Sequence, residues 1–359
     1  MFFASDNGLG ASDKVMKAIV DANAGPTLGY GNDEATKRVE RQISDLFERE
    51  VGVYMVATGT AANGLALSTL TPPWGIVLCH EESHVIEDEC CGPEFFTGGA
   101  KLVGIAGAGA KITPDGLNGA LAKLGRRVPH HAPVHALSLT QSTELGQLYS
   151  IDEVKALTAI AKANNLNVHM DGARFANAVA ALGCKPADIT WKAGVDVLCF
   201  GSTKGGALAC EAIIYFDPAK GTEMVRRRMR GGHLLSKHRF LAAQMEAFLG
   251  DGHWLDLAGH ANAMATRLAK GLAAVPGVRF PYSVQSNGLF PILPKPIEAA
   301  LKAEGAVFYP WLDKSLPAAF TIGPNDVMVR LVTSFATTAD DVDRFVDIAT
   351  RAAGLIAAE

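Results

Sequence analysis

Short apolar runs alternate with segments of helical periodicity over the first two-thirds of the chain. Apolar residues recur at helical spacing over 13–23 and over 34–50, where Val39, Ile43 and Leu46 fall on one helix face. Between residues 53 and 216, helical patterns separate seven apolar runs, at 53–57, 76–80, 101–105, 135–139, 167–170, 195–200 and 212–216. This alternation predicts a mainly parallel, doubly wound, seven-stranded sheet.

The last third of the chain has a different pattern. A long helical segment is predicted from about 226 to 250, and helical spacing continues over 253–275. Predicted strands follow at 278–281, 289–293, 306–309 and 327–333, with helices at 296–304 and 339–358. For a chain of 359 residues we therefore predict an α/β protein in three parts: an N-terminal segment (1–12), a large domain (13–235) and a smaller C-terminal α+β domain (236–359).

Composition narrows the range of function classes. A hydrophobic content of 48%, a charged content of 19% and a net charge of −4 fit a globular enzyme and favour neither nucleic acid nor an anionic membrane as partner. The six cysteines form no C-x-x-C pair, which predicts reduced, buried thiols. We find no signal-peptide pattern and no apolar run of about 18 residues, so we expect a soluble, cytoplasmic protein.

Two of the apolar runs end in charged residues that suggest a cofactor. Asp171 follows the run 167–170, and Lys204 lies in a Gly/Ser/Thr turn after the run 195–200, 33 positions later. Open α/β sheets bind ligands at the carboxyl ends of their strands. A lysine that can form a Schiff base and an aspartate that can pair with a pyridinium nitrogen suggest pyridoxal phosphate (PLP). Taken singly, the lysine has a simpler interpretation as a solvated loop residue and the aspartate as a helix N-cap.

A second feature suits the phosphate of such a cofactor. Gly59, Thr60 and Ala61 follow the first predicted strand and open a helix, where free N–H groups attract anions. An ordinary capped helix is the competing interpretation. The basic cluster at 226–230 is either a solvated helix face or an aid to an anionic cofactor.

Three further residues are candidates for chemistry. His84 follows the run 76–80 and could stack on an aromatic cofactor, although loop histidines are usually surface groups. His130, close to His131 and His135, could act as an acid or base, but these histidines lack the accompanying ligands of a metal site, so we predict no catalytic metal. Arg330 lies within an apolar run, where a charge needs a partner, either a substrate carboxylate or a structural ion pair.

Together and in this order, these segments resemble the fold-type-I PLP enzymes, and among them the low-specificity L-threonine aldolases of the β-eliminating lyase group. The similarity covers nearly the whole chain. Its most specific part is the H-x-D-G-A-R stretch at 169–174 with Lys204 downstream. The other matching pieces are at 3–7, 30–33, 59–63, 83–85 and 199–204.

The resemblance implies a role for each matching residue. Lys204 would bind PLP covalently, Asp171 would pair with its ring nitrogen, and Arg174 would contact the region of the ring hydroxyl. The chain has Gly231-Gly232-His233 where family members often show G-G-G-M-R-Q, so the usual phosphate arginine is absent. The resemblance implies further roles. Gly59, Thr60 and Ala61 would hold the phosphate, with Lys237 or Arg230 in place of the absent arginine, and His84 would stack on the ring. Ser5 and Arg330 would bind the substrate carboxylate, His130 would contact the β-hydroxyl, and Tyr30 would contribute to a neighbouring subunit's site.

The implied activity is that of an aldehyde-lyase of amino acid metabolism. It would cleave L-threonine, L-allo-threonine and related L-β-hydroxy-α-amino acids such as phenylserine to glycine and an aldehyde. His130, His84 or a water molecule would be the base, and the protein would be a homodimer or homotetramer. The alternatives are another PLP-dependent lyase, racemase or aminotransferase on the same fold, and a non-catalytic binding protein that retains it.

Overall fold

A seven-stranded sheet forms the large domain. The fold comes from a computed structural model, which describes residues 1–311 and 316–356. The strands lie on the seven predicted runs; they are β1 (Gly52–Val56), β2 (Ile76–His80), β3 (Lys101–Ile105), β4 (Val134–Thr140), β5 (Asn167–Gly172), β6 (Val197–Gly201) and β7 (Glu211–Tyr215).

The strand order is β1-β7-β6-β5-β4-β2-β3, and β7 alone runs against its neighbours. The prediction of a mainly parallel sheet is therefore confirmed. The reversal of β7 follows from its connection, because only residues 202–210 separate it from β6. A parallel partner would need a crossover of a dozen residues or more.

Helices pack on both faces of this sheet. Alternate side chains of β6 enter two different cores, Leu198 and Phe200 on one face and Val197 and Cys199 on the other. The helices of the large domain are α1 (Asp13–Asp21), α2 (Glu34–Leu46), α3 (Gly59–Leu70), α4 (His84–Glu87), α5 (Gly92–Thr97), α6 (Pro114–Lys123), α7 (Ile151–Ala163), α8 (Phe175–Leu182) and α9 (Met224–Arg230).

The chain continues through α10 (Arg239–Leu249) and α11 (His253–Ala273). The long helix predicted over 226–250 is thus interrupted. Gly231 and Gly232 end α9, and Gly232 has a φ of 75°, which a helix does not accommodate. Met245, Phe248 and Trp254 lie beyond the predicted domain boundary at 235, yet they pack in the core of the large sheet.

A small antiparallel sheet forms the C-terminal part. It comprises β8 (Gly288–Leu289), β9 (Ile292–Pro294), β10 (Tyr309–Pro310) and β11 (Asp326–Val332), flanked by α11, α12 (Lys295–Ala303) and α13 (Ala339–Ile356). The prediction of a smaller α+β part is confirmed, while three of its strands differ. The one predicted at 306–309 is found at Tyr309–Pro310. The predicted strand at 289–293 is broken at Pro291, which has no N–H to donate, and the one at 278–281 is a single bridge at Arg279. The predicted helix 339–358 is described as far as Ile356.

The N-terminal segment ties the two parts together. Phe3 is fully buried in the small core, where its ring meets that of Phe345 edge to face at 5.1 Å. Three residues later, Asp6 bonds to the large domain through Arg174. Residues 1–12 therefore span both cores.

The cysteines are all free thiols. Cys79, Cys199 and Cys210 are buried as predicted, whereas Cys90 and Cys91 are exposed in a turn before α5.

In the part of the chain that the structure describes, no helix is both long and apolar enough to cross a membrane.

Gly201 is a position where the sheet admits no side chain. It ends β6 beside β5, and an added Cβ would lie 2.6 Å from the carbonyl oxygen of Ala173. Because the obstacle is backbone, we expect Gly201→Ala to lower the free energy of unfolding by roughly 1–3 kcal/mol, measured by urea denaturation. Gly259→Ala in α11 is the control, since its Cβ meets nothing within 4 Å; equal destabilisation by both changes would contradict this prediction.

Candidate active site

A cavity opens at the carboxyl edge of the large sheet, where open α/β sheets bind ligands. The residues that follow β1, β2, β4, β5 and β6 line it, and Glu211 joins them because the reversed β7 begins at this same edge. The lining residues are Gly59, Thr60, Ala62, Asn63, His84, Glu89, Thr140, Ser142, Glu144, Asp171, Ala173, Arg174, Cys199, Lys204 and Glu211.

Asp171 brings a buried negative charge to this cavity. The carboxylate accepts hydrogen bonds from the Ala173 N–H at 2.9 Å and from Asn63 Nδ2 at 2.8 Å. Burial alone would raise its pKa, but the cationic groups of His84 and Lys204 and the bond from Ala173 outweigh burial and lower it. Asp171 is therefore ionised at neutral pH and can bind a protonated ring nitrogen.

A hydrogen-bonded chain extends from Asp171 to His84. Asn63 Nδ2 also donates to Glu89 Oε1 at 2.8 Å, and that oxygen lies 2.8 Å from His84 Nδ1. The bond to Glu89 raises the pKa of His84, while burial raises the pKa of Glu89 itself. The two groups thus hold a proton between them, and the contact fixes the His84 ring at the wall of the cavity.

Lys204 enters the cavity from the turn between β6 and β7. Ser202 and Thr203 both donate side-chain hydrogen bonds to the carbonyl oxygen of Cys210, which closes this turn. Lys204 is half-buried and faces the same cavity as Asp171. An amine and a carboxylate therefore face one cavity.

The start of α3 offers an anion site at the wall of the cavity. The first N–H groups of a helix have no intrahelical partner, and here they belong to Gly59 and Thr60. The Ala61 N–H is instead capped by Thr58 Oγ1 at 3.2 Å. An added Cβ at Gly59 would meet no atom within 4 Å, so there is open space beside this helix start. A phosphate fits there.

A second cavity adjoins the first and contains two arginines. Arg174 binds Asp6 through two bonds of 2.7 and 2.9 Å, and Asn287 donates to the same carboxylate at 3.1 Å. Arg330 donates to the Ala4 carbonyl oxygen at 3.0 Å, while its Nε has no partner among the described residues. Arg330 therefore keeps donors for a carboxylate ligand.

The structure brings most of the predicted site residues together. Lys204, Asp171, His84, Gly59 and Thr60 line the first cavity, and Arg174 lines both. Arg330 lines the second cavity. Ser5 lies between Ala4, which accepts from Arg330, and Asp6, which binds Arg174. Its hydroxyl accepts a hydrogen bond from the Asn7 N–H at 3.1 Å.

Six predicted residues do not line either cavity, namely Ser5, Ala61 and the four described next. His130 is in an exposed turn before β4, at the opposite edge of the sheet, and the seven residues of β4 span roughly 20 Å. Tyr30 is 53% exposed and its N–H donates to the Ser236 carbonyl oxygen. Lys237 lies in an exposed turn, and Arg230 lines a separate groove between α3, α5 and α9.

Sequence reasoning assigned no role to several residues that line or support the cavities. Glu144 comes a few positions after the run 135–139, so the rule that found Asp171 and Lys204 could also have found it. Glu211 carries no such signal, since its position depends on the reversal of β7. The charged and amide side chains without a predicted role are Asp6, Asn63, Glu89, Glu144, Glu211 and Asn287. Within the described ranges, no group of three His, Cys, Asp or Glu side chains could hold a metal ion.

Comparison with known proteins agrees with the fold. The family model described as "Beta-eliminating lyase" matches residues 3–292, and the chain belongs to this family. It is 43% identical to two proteins named low specificity L-threonine aldolase, from Pseudomonas sp. (strain NCIMB 10558) and Pseudomonas aeruginosa, over 86% of this chain and 89% of each relative. The solved structure of Leishmania major threonine aldolase has a TM-score of 0.90 and 28% identity, and the match covers 98% of this chain and 99% of that one. The predicted family and fold class are confirmed.

Glu211 yields a prediction about stability. Burial raises its pKa from 4.5 to about 7, so the unfolded chain releases this proton at lower pH than the folded protein does. The contribution of Glu211 to folding stability therefore falls as the pH rises from about 4.5 to 7 and stays lower above 7. We expect Glu211→Gln to raise the free energy of unfolding of the cofactor-free protein by up to roughly 3 kcal/mol at pH 8, and to change it little at pH 4.5.

Urea denaturation at the two pH values measures this difference. Glu50→Gln is the control, since Glu50 is exposed and its loss should change stability slightly and similarly at both pH values. A Glu211→Gln effect that is independent of pH would show that Glu211 does not titrate as described.

Proposed function

We propose that this protein is a PLP-dependent aldehyde-lyase that cleaves L-threonine, L-allo-threonine and related L-β-hydroxy-α-amino acids to glycine and an aldehyde. The observation that carries the proposal is one cavity with Lys204 and Asp171, joined to a second cavity with Arg174 and Arg330. The names and the 43% identity of the Pseudomonas relatives support the same reaction.

The residues of the first cavity fit PLP. The Lys204 amine would bind it covalently, Asp171 would hold a proton at the ring nitrogen, and the N–H groups of Gly59 and Thr60 would bind its phosphate. When bound, PLP takes up the electron pair that is released as a bond to the substrate Cα breaks. His84, whose Nδ1 is held by Glu89, would place its ring against the cofactor.

The residues of the second cavity decide which bond breaks. Arg330, with donors still available, would bind the substrate carboxylate in two-pronged geometry. Arg174 is held by Asp6 and contributes positive charge at the junction of the cavities. Ser5 would add a hydroxyl contact. Fixing the carboxylate orients the Cα–Cβ bond relative to the ring, and that orientation selects cleavage over other reactions at Cα.

We also propose that the protein is a homo-oligomer, a dimer or a tetramer. Tyr30 and Leu28 are exposed on one loop, and Phe95 and Met229 are exposed beside the groove between α3, α5 and α9. Large exposed apolar groups favour burial against a second chain. Tyr30, and either Lys237 or Arg230, would then serve the neighbouring subunit's site. A cytoplasmic location stays a prediction.

The first test is the reaction itself. The PLP-loaded protein should release glycine and aldehyde in equal amounts from L-threonine, L-allo-threonine or L-phenylserine, measured by a coupled alcohol dehydrogenase assay and amino acid analysis. Lys204→Ala should reduce the rate by on the order of a thousandfold or more. Lys101→Ala, an exposed change at the opposite edge of the sheet, should retain it. A wild-type protein that binds PLP and releases no aldehyde from any of the three would refute the proposed activity.

The contribution of Tyr30 to a neighbouring site can be tested with hybrid oligomers. Lys204→Ala and Tyr30→Ala chains should each be inactive alone, whereas a hybrid of the two should regain about half the activity of a wild-type pair, because one of its two sites is intact. Differently tagged, co-expressed chains allow the hybrid to be purified and assayed. If Tyr30 acts within its own chain, both sites of the hybrid are defective and no activity returns.

A further inference from the structure

Glu144 lies where the two cavities of the site meet. Three side chains line both cavities, those of Ser142, Glu144 and Arg174. In the proposed function, the cofactor binds the amino group of the substrate from the first cavity and Arg330 binds the carboxylate from the second. The Cα and its β-substituent must therefore lie near the side chains that the cavities share.

One oxygen of the Glu144 carboxyl accepts a backbone hydrogen bond, and the other has no donor in hydrogen-bonding geometry. The His84 backbone N–H donates to Oε1 at 2.9 Å. Oε2 is buried and has no hydrogen-bond partner among the described residues. A buried carboxylate oxygen without a donor is costly. A hydroxyl group supplied by a substrate would provide the missing donor.

The other side chains near this junction are less suited to accept a proton. Arg174 is permanently protonated and paired with Asp6. His84 lines only the first cavity, and its Nδ1 is bound to Glu89. The neutral hydroxyl of Ser142 is a weak base. Burial raises the pKa of Glu144 to about 7, a value that suits a general base at neutral pH.

We infer that Glu144 is the base that removes the proton of the substrate β-hydroxyl during cleavage, an inference that rests on the proposed function. The O–H bond breaks and its proton passes to Glu144 Oε2. The electron pair of that bond forms the carbonyl group of the aldehyde, while the Cα–Cβ pair stays with the glycine fragment. A proton then adds at Cα to give glycine, so that one proton is removed and one is returned.

Glu144→Gln separates this role from a structural one. Two reactions of the PLP-loaded variant are compared: aldehyde release from L-allo-threonine, and exchange of the glycine Cα proton in D₂O followed by NMR. Exchange uses the same cofactor, lysine and carboxylate contacts, but glycine has no β-hydroxyl. We expect aldehyde release to fall by about 10²–10⁴-fold, while exchange stays within about fivefold of the wild-type rate.

Glu144→Asp supplies the matched comparison, since it keeps the carboxylate and shortens the side chain by one methylene. It should retain more aldehyde release than the glutamine variant. If Glu144→Gln does not fold, the aspartate variant must still slow aldehyde release more than exchange. Equal loss of both reactions, or aldehyde release unchanged in Glu144→Gln, would overturn the inference.

The outcome is distinguishable from a failure of the proposed function. If the wild-type protein releases no aldehyde from any β-hydroxy amino acid, the proposed function is wrong and the inference falls with it. If the wild-type protein releases aldehyde and Glu144→Gln does so equally well, the function stands and only the assignment of Glu144 is wrong.

Discussion

The buried charge of Asp171 is the constraint on which the site depends. An ionised carboxylate is stable in a protein interior only when hydrogen bonds and opposite charges compensate for lost hydration. Asn63 and the Ala173 N–H supply the bonds, and His84 and Lys204 supply the charge. Asn63 also donates to Glu89, which holds the His84 ring, so the same network fixes that ring at the wall of the cavity.

A second ion pair holds the parts of the molecule together. Asp6 in the N-terminal segment binds Arg174 after β5, and Asn287 of the C-terminal part donates to the same carboxylate. Phe3 is meanwhile anchored in the small core. The Asp6 carboxylate therefore couples three distant stretches of chain, two of which, at Arg174 and Asn287, line the second cavity.

For the buried carboxyl groups of Glu89, Glu144 and Glu211, hydrogen bonds compensate the cost of burial only in part. Among the described residues none of them forms a salt bridge with a lysine or an arginine, and burial raises the pKa of each. Such groups lower the stability of the fold at neutral pH. Their arrangement around one cavity is typical of sites that hold and transfer protons.

The seven strands, their boundaries to within two residues, and the placement of Lys204 and Asp171 at one sheet edge followed from the sequence. Strand–helix alternation leaves few topologies, and parallel strands share a carboxyl edge. The motifs indicated the family as well.

Only the tertiary structure decided which other side chains reach the site. It reversed β7 and so brought Glu211 to the cavity, placed His130 at the far edge, and set Glu144 between two cavities. These outcomes depend on the lengths of connections and on contacts between residues far apart in the chain, such as Asp6 with Arg174, which local patterns do not encode.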